Sequence, residues 1–264
     1  KDRLQEVNRM EFKISLARVT GSDHSLHNIP CQDKTAVFAG DDYTTAALAD
    51  GAGSRPYSHI GAELATVAVA SKLNVRFEDF WEYEPHMVAT GAWVEATNAM
   101  LNKPYSLYDQ ACTLLFVAIA EDGRYISGHI GDGVQILVEP NGEMRTFSPP
   151  ENGEYENETW FITGDDAVEH LRIQKGTLQA GSTLLMMSDG TAKSLYQTST
   201  GEPAPACRTI ARWLKEKEED EVSFLLEKNM NEVFWSRTSD DMSLIVIRVQ
   251  EKQEGHTDPN LLKL

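Results

Sequence analysis

Five short segments of this 264-residue chain set an aspartate beside a glycine or a second polar acceptor: Gln32-Asp33, Asp50-Gly51-Ala52-Gly53, Gly131-Asp132-Gly133, Ser188-Asp189-Gly190 and Asp240-Asp241. Apolar runs lead directly into Asp50 and towards Asp189, and Asp240-Asp241 stands just before another. Carboxylates placed at the ends of neighbouring strands converge in space, repel one another, and take up protons unless a multivalent cation neutralises them. Hard oxygen donors select Mg²⁺, Mn²⁺ or Ca²⁺ over Zn²⁺. A glycine after the aspartate lets a backbone carbonyl turn towards the ion with no side chain in the way. Two such ions ~4 Å apart activate a bridging water and stabilise both oxygens of an in-line phosphoryl transfer. A lone Asp-Gly pair is usually a plain turn, and Asp122-Gly123 is read as one.

The elements that must position these aspartates follow from periodicity. Residues 12–20 alternate apolar and polar and read as a strand. Runs 35–39 and 43–49 flank Gly40-Asp41-Asp42 and form a hairpin. Ile60, Leu64 and Val67 recur at helical spacing in a helix reaching about Leu73, and a second helix runs from Pro85 to Leu101. Strands resume at 113–120, 124–130 and 134–138, with Asn141-Gly142 as a further hairpin signal. Residues 148–166 read as a surface loop or flap. Continuous apolar runs at 184–187 and 244–249 predict strands buried on both faces, and 206–217 and 222–235 read as helices. Ser54 and Ser58 read as helix caps rather than nucleophiles. The expected fold is α+β: a four-layer α-β-β-α sandwich of two antiparallel sheets flanked by helices. It forms a single domain over 1–250, with a polar tail at 251–264.

Composition narrows the classes. Forty-one acidic against 24 basic residues give a net charge of −17. Such a surface repels nucleic acid and anionic lipid over roughly 8 Å at physiological salt, but attracts divalent cations. Apolar residues at 41% supply a core. Three cysteines without close spacing argue for reduced thiols and a cytoplasmic location. No stretch approaches the ~20 apolar residues of a membrane span.

Taken together and in this order, the motifs resemble the metal-dependent protein phosphatase family of the 2C type, in its divergent bacterial branch, over residues 12–249. The family's Asp-Gly-x-Gly is matched by Asp50-Gly51-Ala52-Gly53, and the Gly-Ala helix start that follows it by Gly61-Ala62. Its Gly-Asp turn is matched by Gly131-Asp132-Gly133, its Ser-Asp-Gly by 188–190, and its closing Asp-Asn-Met-Thr by Asp240-Asp241-Met242-Ser243. The resemblance implies that Asp50 bridges two metals and that the Gly51 carbonyl binds the first. Asp189 and Asp240 complete the second, Asp33 holds metal-bound water, and Asp132 joins Asp189 at a third, looser position.

The chain also departs from the pattern. Gln32 stands where the family usually has Glu. The family's phosphate-gripping arginine is absent, with its position near Asn28, which leaves Arg18, His24 or Arg55 as substitutes. Ala52 replaces the histidine of eukaryotic members, and Asp241 replaces Asn.

The implied activity is a Mn²⁺- or Mg²⁺-dependent protein-serine/threonine phosphatase, using a water or hydroxide that bridges two metal ions. Catalysis would rest on Asp33, Asp50, Asp189 and Asp240, with phosphoserine and phosphothreonine proteins as substrates and a cognate Ser/Thr kinase as a partner class. Gln32 and the missing arginine support the alternative: a catalytically weak or inactive regulator that keeps the fold and binds phosphoprotein or metal.

Overall fold

The central strands of this protein are continuously apolar because both of their faces are covered. The computed structural model describes residues 9–40, 42–151 and 159–252. In chain order the elements are β1 (Met10–Val19), α1 (Ser22–His27), β2 (Lys34–Ala39), β3 (Tyr43–Ala49), α2 (Ser58–Val75), α3 (Phe77–Glu82) and α4 (Pro85–Leu101). Next come β4 (Leu114–Ala120), β5 (Arg124–Ile130), β6 (Val134–Val138), β7 (Met144–Ser148), α5 (Ala167–His170), β8 (Arg172–Thr177) and β9 (Thr183–Met187). The chain continues through α6 (Asp189–Leu195), the short pair β10 (Tyr196–Gln197) and β11 (Glu202–Pro203), α7 (Ala206–Glu216), α8 (Glu219–Glu232) and β12 (Met242–Glu251).

Two five-stranded antiparallel sheets result, ordered β1-β12-β9-β6-β7 and β2-β3-β4-β5-β8. Side chains alternate across each strand. On β4, Leu115, Val117 and Ile119 join Leu184, Met186, Ile245 and Ile247 in the core between the sheets. Their neighbours Leu114, Phe116 and Ala118 pack outward against α2 and α4. On the other sheet, Leu185, Met187, Leu244 and Val246 face Ile210, Leu214, Leu226 and Met230 of α7 and α8. Each fully buried aliphatic side chain contributes ~1.5–3 kcal/mol. The architecture is the four-layer sandwich expected.

Helix α2 lies close enough to the 108–110 turn that a Cβ on Gly61 would sit 2.0 Å from the Gln110 carbonyl oxygen. A glycine there is what admits the contact.

Several elements differ from the sequence reading. Ser58 does not cap α2 with an acceptor; its hydroxyl donates to the Arg55 carbonyl at 3.1 Å. The acidic stretch before α8 is partly inside it, with Glu219, Asp220 and Glu221 in the first turn, where the helix dipole favours negative charge. Strand β12 runs on to Glu251, paired with Met10. The centre of the expected flap, 152–158, and the expected tail from 253 lie outside the described residues. Among the described residues, no helix is long and apolar enough to cross a membrane.

Candidate active site

Strand register brings the aspartates together. Lys34 pairs with Ala49, so Asp33 and Asp50 leave neighbouring strands at the same end. The Asp50 N–H donates to Thr113 Oγ1 at 2.9 Å and the Thr113 N–H to the Asp50 carbonyl at 2.8 Å, which fixes the start of β4 beside them. Leu114 pairs with Ile130, so the Gly131-Asp132-Gly133 turn falls at that end too. In the opposite sheet Met187 pairs with both Val134 and Leu244, which places Asp189 and Asp240 across from this turn. Period-2 pairing in two sheets thus converges segments more than 200 positions apart.

The result is a cavity of about 250 Å³ whose lining includes Asp50, Gly51, Asp132, Asp189, Asp240 and Gln32, with Thr113, Thr159 and Phe161. Asp33 lies behind this wall, fully buried. Both of its carboxylate oxygens, with Asp189 Oδ1 and Gln32 Oε1, are buried without a hydrogen-bond partner. Burial pushes the Asp33 carboxyl up to about 7. The hydroxyls of Ser188 and Ser243 lie near enough to counter this in part, without well-formed bonds, and Asp241 and Asp189 add to the rise. Asp50 keeps contact with the cavity. Burial, then repulsion from Asp33, Asp189, Asp132 and Asp240, drives its carboxyl well above the usual range. Burial and Asp189 raise Asp132 as well, against a 2.8 Å hydrogen bond from Thr159 Oγ1.

Unsatisfied buried acceptors set among mutually repelling carboxylates suit a hard divalent cation. The groups able to supply oxygen are the carboxylates of Asp33, Asp50, Asp132, Asp189 and Asp240 and the carbonyl of Gly51. Among the described residues, however, no three His, Cys, Asp or Glu side chains form a ready-made cage. Two of these carboxylates share a cationic neighbour, Lys193. Its ammonium sits 3.2 Å from Asp189 Oδ2 and 3.3 Å from Asp240 Oδ2. Partial burial works against its charge, but the two carboxylates outweigh that and hold its pKa above the usual lysine value. Lys193 was missed in the sequence because α6 was not read as a helix; its i+4 spacing from Asp189 is the signal that would have found it.

Other residues have different places. Asp241 is buried and accepts hydrogen bonds from the Gly21 N–H (2.7 Å), the Gln32 N–H (2.6 Å) and His24 Nδ1 (2.9 Å). It therefore ties the 21–32 segment to the start of β12. That contact occupies His24, which does not line the cavity. Arg18 is exposed on β1 and donates to the Asp33 carbonyl at 3.4 Å. Arg55 lies in a neighbouring groove rather than in the cavity. None of the three cations expected to grip phosphate is on the cavity wall.

A family model described as Protein phosphatase 2C matches residues 20–234. Serine/threonine-protein phosphatase 3 of Escherichia coli (strain K12) is 28% identical over 180 residues, covering 65% of this chain and 70% of that protein. The catalytic domain of the serine threonine protein phosphatase PstP, in complex with 2 manganese ions, shares the fold with a TM-score of 0.64 at 18% identity. That match covers 92% of this chain and all of that one, at 100%. RsbX in complex with magnesium also shares it, with a TM-score of 0.56 at 17% identity over 95% and 98% of the two chains.

Proposed function

The chain belongs to the protein phosphatase 2C family, and from that premise we propose that it hydrolyses phosphoserine and phosphothreonine monoesters in proteins, using two divalent cations, Mn²⁺ or Mg²⁺. The observation that carries this reading is the convergence of five aspartates on one cavity end, with orphaned carboxylate oxygens on Asp33 and Asp189. Manganese and magnesium in the PstP and RsbX structures support the choice of ion. Bound there, two cations supply charge neutralisation, an activated water and polarisation of the phosphoryl oxygens.

Each residue has a task in this reading. Asp50, Asp189 and Asp240 hold the cations with the Gly51 carbonyl. Asp33 holds and orients water from its buried position. Asp132, steadied by Thr159, offers a further carboxylate next to Asp189. The Thr113 hydroxyl and N–H keep the Asp50 backbone still. Hydrolysis of p-nitrophenyl phosphate and of a phosphothreonine peptide tests the reading. Turnover is expected with Mn²⁺ or Mg²⁺ and loss of it in EDTA; folded protein inactive on both substrates with every metal refutes it.

A second reading, a weakly catalytic regulator, draws support from Gln32 in place of a carboxylate and from Lys193 across Asp189 and Asp240. In either reading Lys193 competes with a cation for the same two carboxylates. Lys193→Gln is therefore expected to tighten Mn²⁺ binding roughly tenfold, the effect of a nearby unit charge after solvent screening. Calorimetric titration of the metal-free protein reads this, and unchanged or weaker affinity would remove Lys193 from the account.

A further inference from the structure

Beside the catalytic cavity lies a second concavity of about 410 Å³. The two share a wall, since Thr159 and Phe161 line both. The second groove is built on three tied segments. The Ala52 N–H donates to the Ala111 carbonyl at 2.9 Å and the Tyr57 N–H to the Asp109 carbonyl at 3.0 Å. The Ile162 N–H donates to the Cys112 carbonyl at 2.9 Å, and Trp160 stacks on His170 with ring centroids 3.6 Å apart. These bonds form the groove before anything enters it.

Among the described residues, Arg55 is its one basic lining residue. The guanidinium carbon lies 3.4 Å from the Tyr108 ring centroid, which holds the planar fork flat against the aromatic face. Its Nε is buried and has no hydrogen-bond partner. In a chain with 41 acidic residues, this guanidinium makes no ion pair among the described residues; even Asp165, exposed on the same groove, does not pair with it. An arginine that is stacked, partly desolvated and without a carboxylate partner among the described residues is poised for a carboxylate of a bound peptide.

We propose that this groove binds the polypeptide next to the phosphorylated residue, and that Arg55 selects substrates with an aspartate or glutamate at that flank. The inference rests on the phosphoprotein-phosphatase reading above. It deepens that reading by assigning Arg55 to the substrate chain instead of the phosphoryl group. An extended peptide advances ~3.3 Å per residue. With phosphoserine in the cavity, a side chain one to about three positions away falls into the adjoining groove. The chain's net charge of −17 disfavours acidic proteins in general, so a preference for an acidic flank has to come from a local site.

The test compares two phosphothreonine peptides that differ only in carrying glutamate or glutamine at the three positions on each side. The readout is the ratio of their kcat/KM values in each protein at physiological salt. Wild type is expected to favour the glutamate peptide about tenfold, Arg55→Gln to bring the ratio to about one, and Arg55→Lys to keep part of it. A ratio unchanged in Arg55→Gln, or both peptides slowed equally, overturns the proposal; the second result returns Arg55 to the phosphoryl group or to the fold. If wild type cleaves neither peptide nor p-nitrophenyl phosphate with any metal, the phosphatase reading fails on its own. Fluorescence anisotropy of the same labelled peptides then decides the groove: tighter glutamate-peptide binding that Arg55→Gln abolishes supports it, and equal binding of both peptides overturns it.

Discussion

Asp50→Asn is expected to lower kcat/KM for p-nitrophenyl phosphate and for a phosphopeptide by about a hundredfold to a thousandfold, while the protein stays folded. Asp50 is the carboxylate that Asp33, Asp132, Asp189 and Asp240 all act on, which makes it the centre of the acidic cluster. In the reading proposed above Asp50 would serve both cations, so its loss would weaken both, and removing one electrostatic element of an active site costs ~10²–10³ in rate. Asparagine preserves shape, and the backbone contacts of Asp50 with Thr113 do not depend on the side-chain charge. The same substitution removes a carboxyl whose ionised form burial and repulsion disfavour, so in EDTA the variant should unfold at a higher urea concentration than wild type. Asp122→Asn supplies the control. Asp122 closes the turn between β4 and β5, where it pairs with Arg124 at 2.6 Å, and its loss should change turnover less than about twofold. Activity in Asp50→Asn within tenfold of wild type would contradict the assignment of Asp50.

Much of this was legible in the sequence because it rests on local rules. Pro85 and the helical spacing after it marked α4, and the apolar runs of β4, β9 and β12 were continuous for the reason the structure gives, two covered faces. Asp50 and Asp189 were visible as ends of such runs. What escaped was short or set by tertiary contact. Helix α6 begins at Asp189 itself and spans seven residues, too few for a periodicity signal, and Lys193 was hidden with it. Strand β8, Arg-Ile-Gln-Lys-Gly-Thr, carries little apolar pattern because it is an edge strand, beside β5 on one side only. The role of Asp241 was equally unreadable. Nothing local says that its carboxylate receives the N–H groups of Gly21 and Gln32, more than 200 residues away. Arg55 could be named as a cation near the motifs, but only the fold separates the groove it lines from the cavity.

In the metal-free protein the Asp33 contribution to stability is expected to fall as pH rises from about 4 to about 7, the reverse of an ordinary paired carboxylate, while buried His129, its pKa lowered by burial, acts the other way. In the unfolded chain an aspartate titrates near 4. In the fold the Asp33 carboxyl is pushed up to about 7, chiefly by burial. Between these values the folded state holds a proton that the unfolded state has released, so raising the pH favours unfolding. Below about 4 both states are protonated and above about 7 both are ionised, so the slope is confined to the interval. Asp33 alone is worth on the order of 4 kcal/mol across it, and the raised carboxyls of Asp50 and Asp132 act in the same direction. Other carboxylates and histidines titrate there too, so the comparison that isolates Asp33 is wild type against Asp33→Asn, by urea unfolding in EDTA at pH 5 and pH 8. Wild type should lose markedly more stability between the two pH values than the variant; equal losses would show that Asp33 ionises as readily in the fold as in the open chain. Saturating Mn²⁺ should then reverse the wild-type trend. In the proposed reading cation binding would need the ionised carboxylates, so it would draw protons off the cluster, gain strength as pH rises, and offset the repulsion that weakens the metal-free fold.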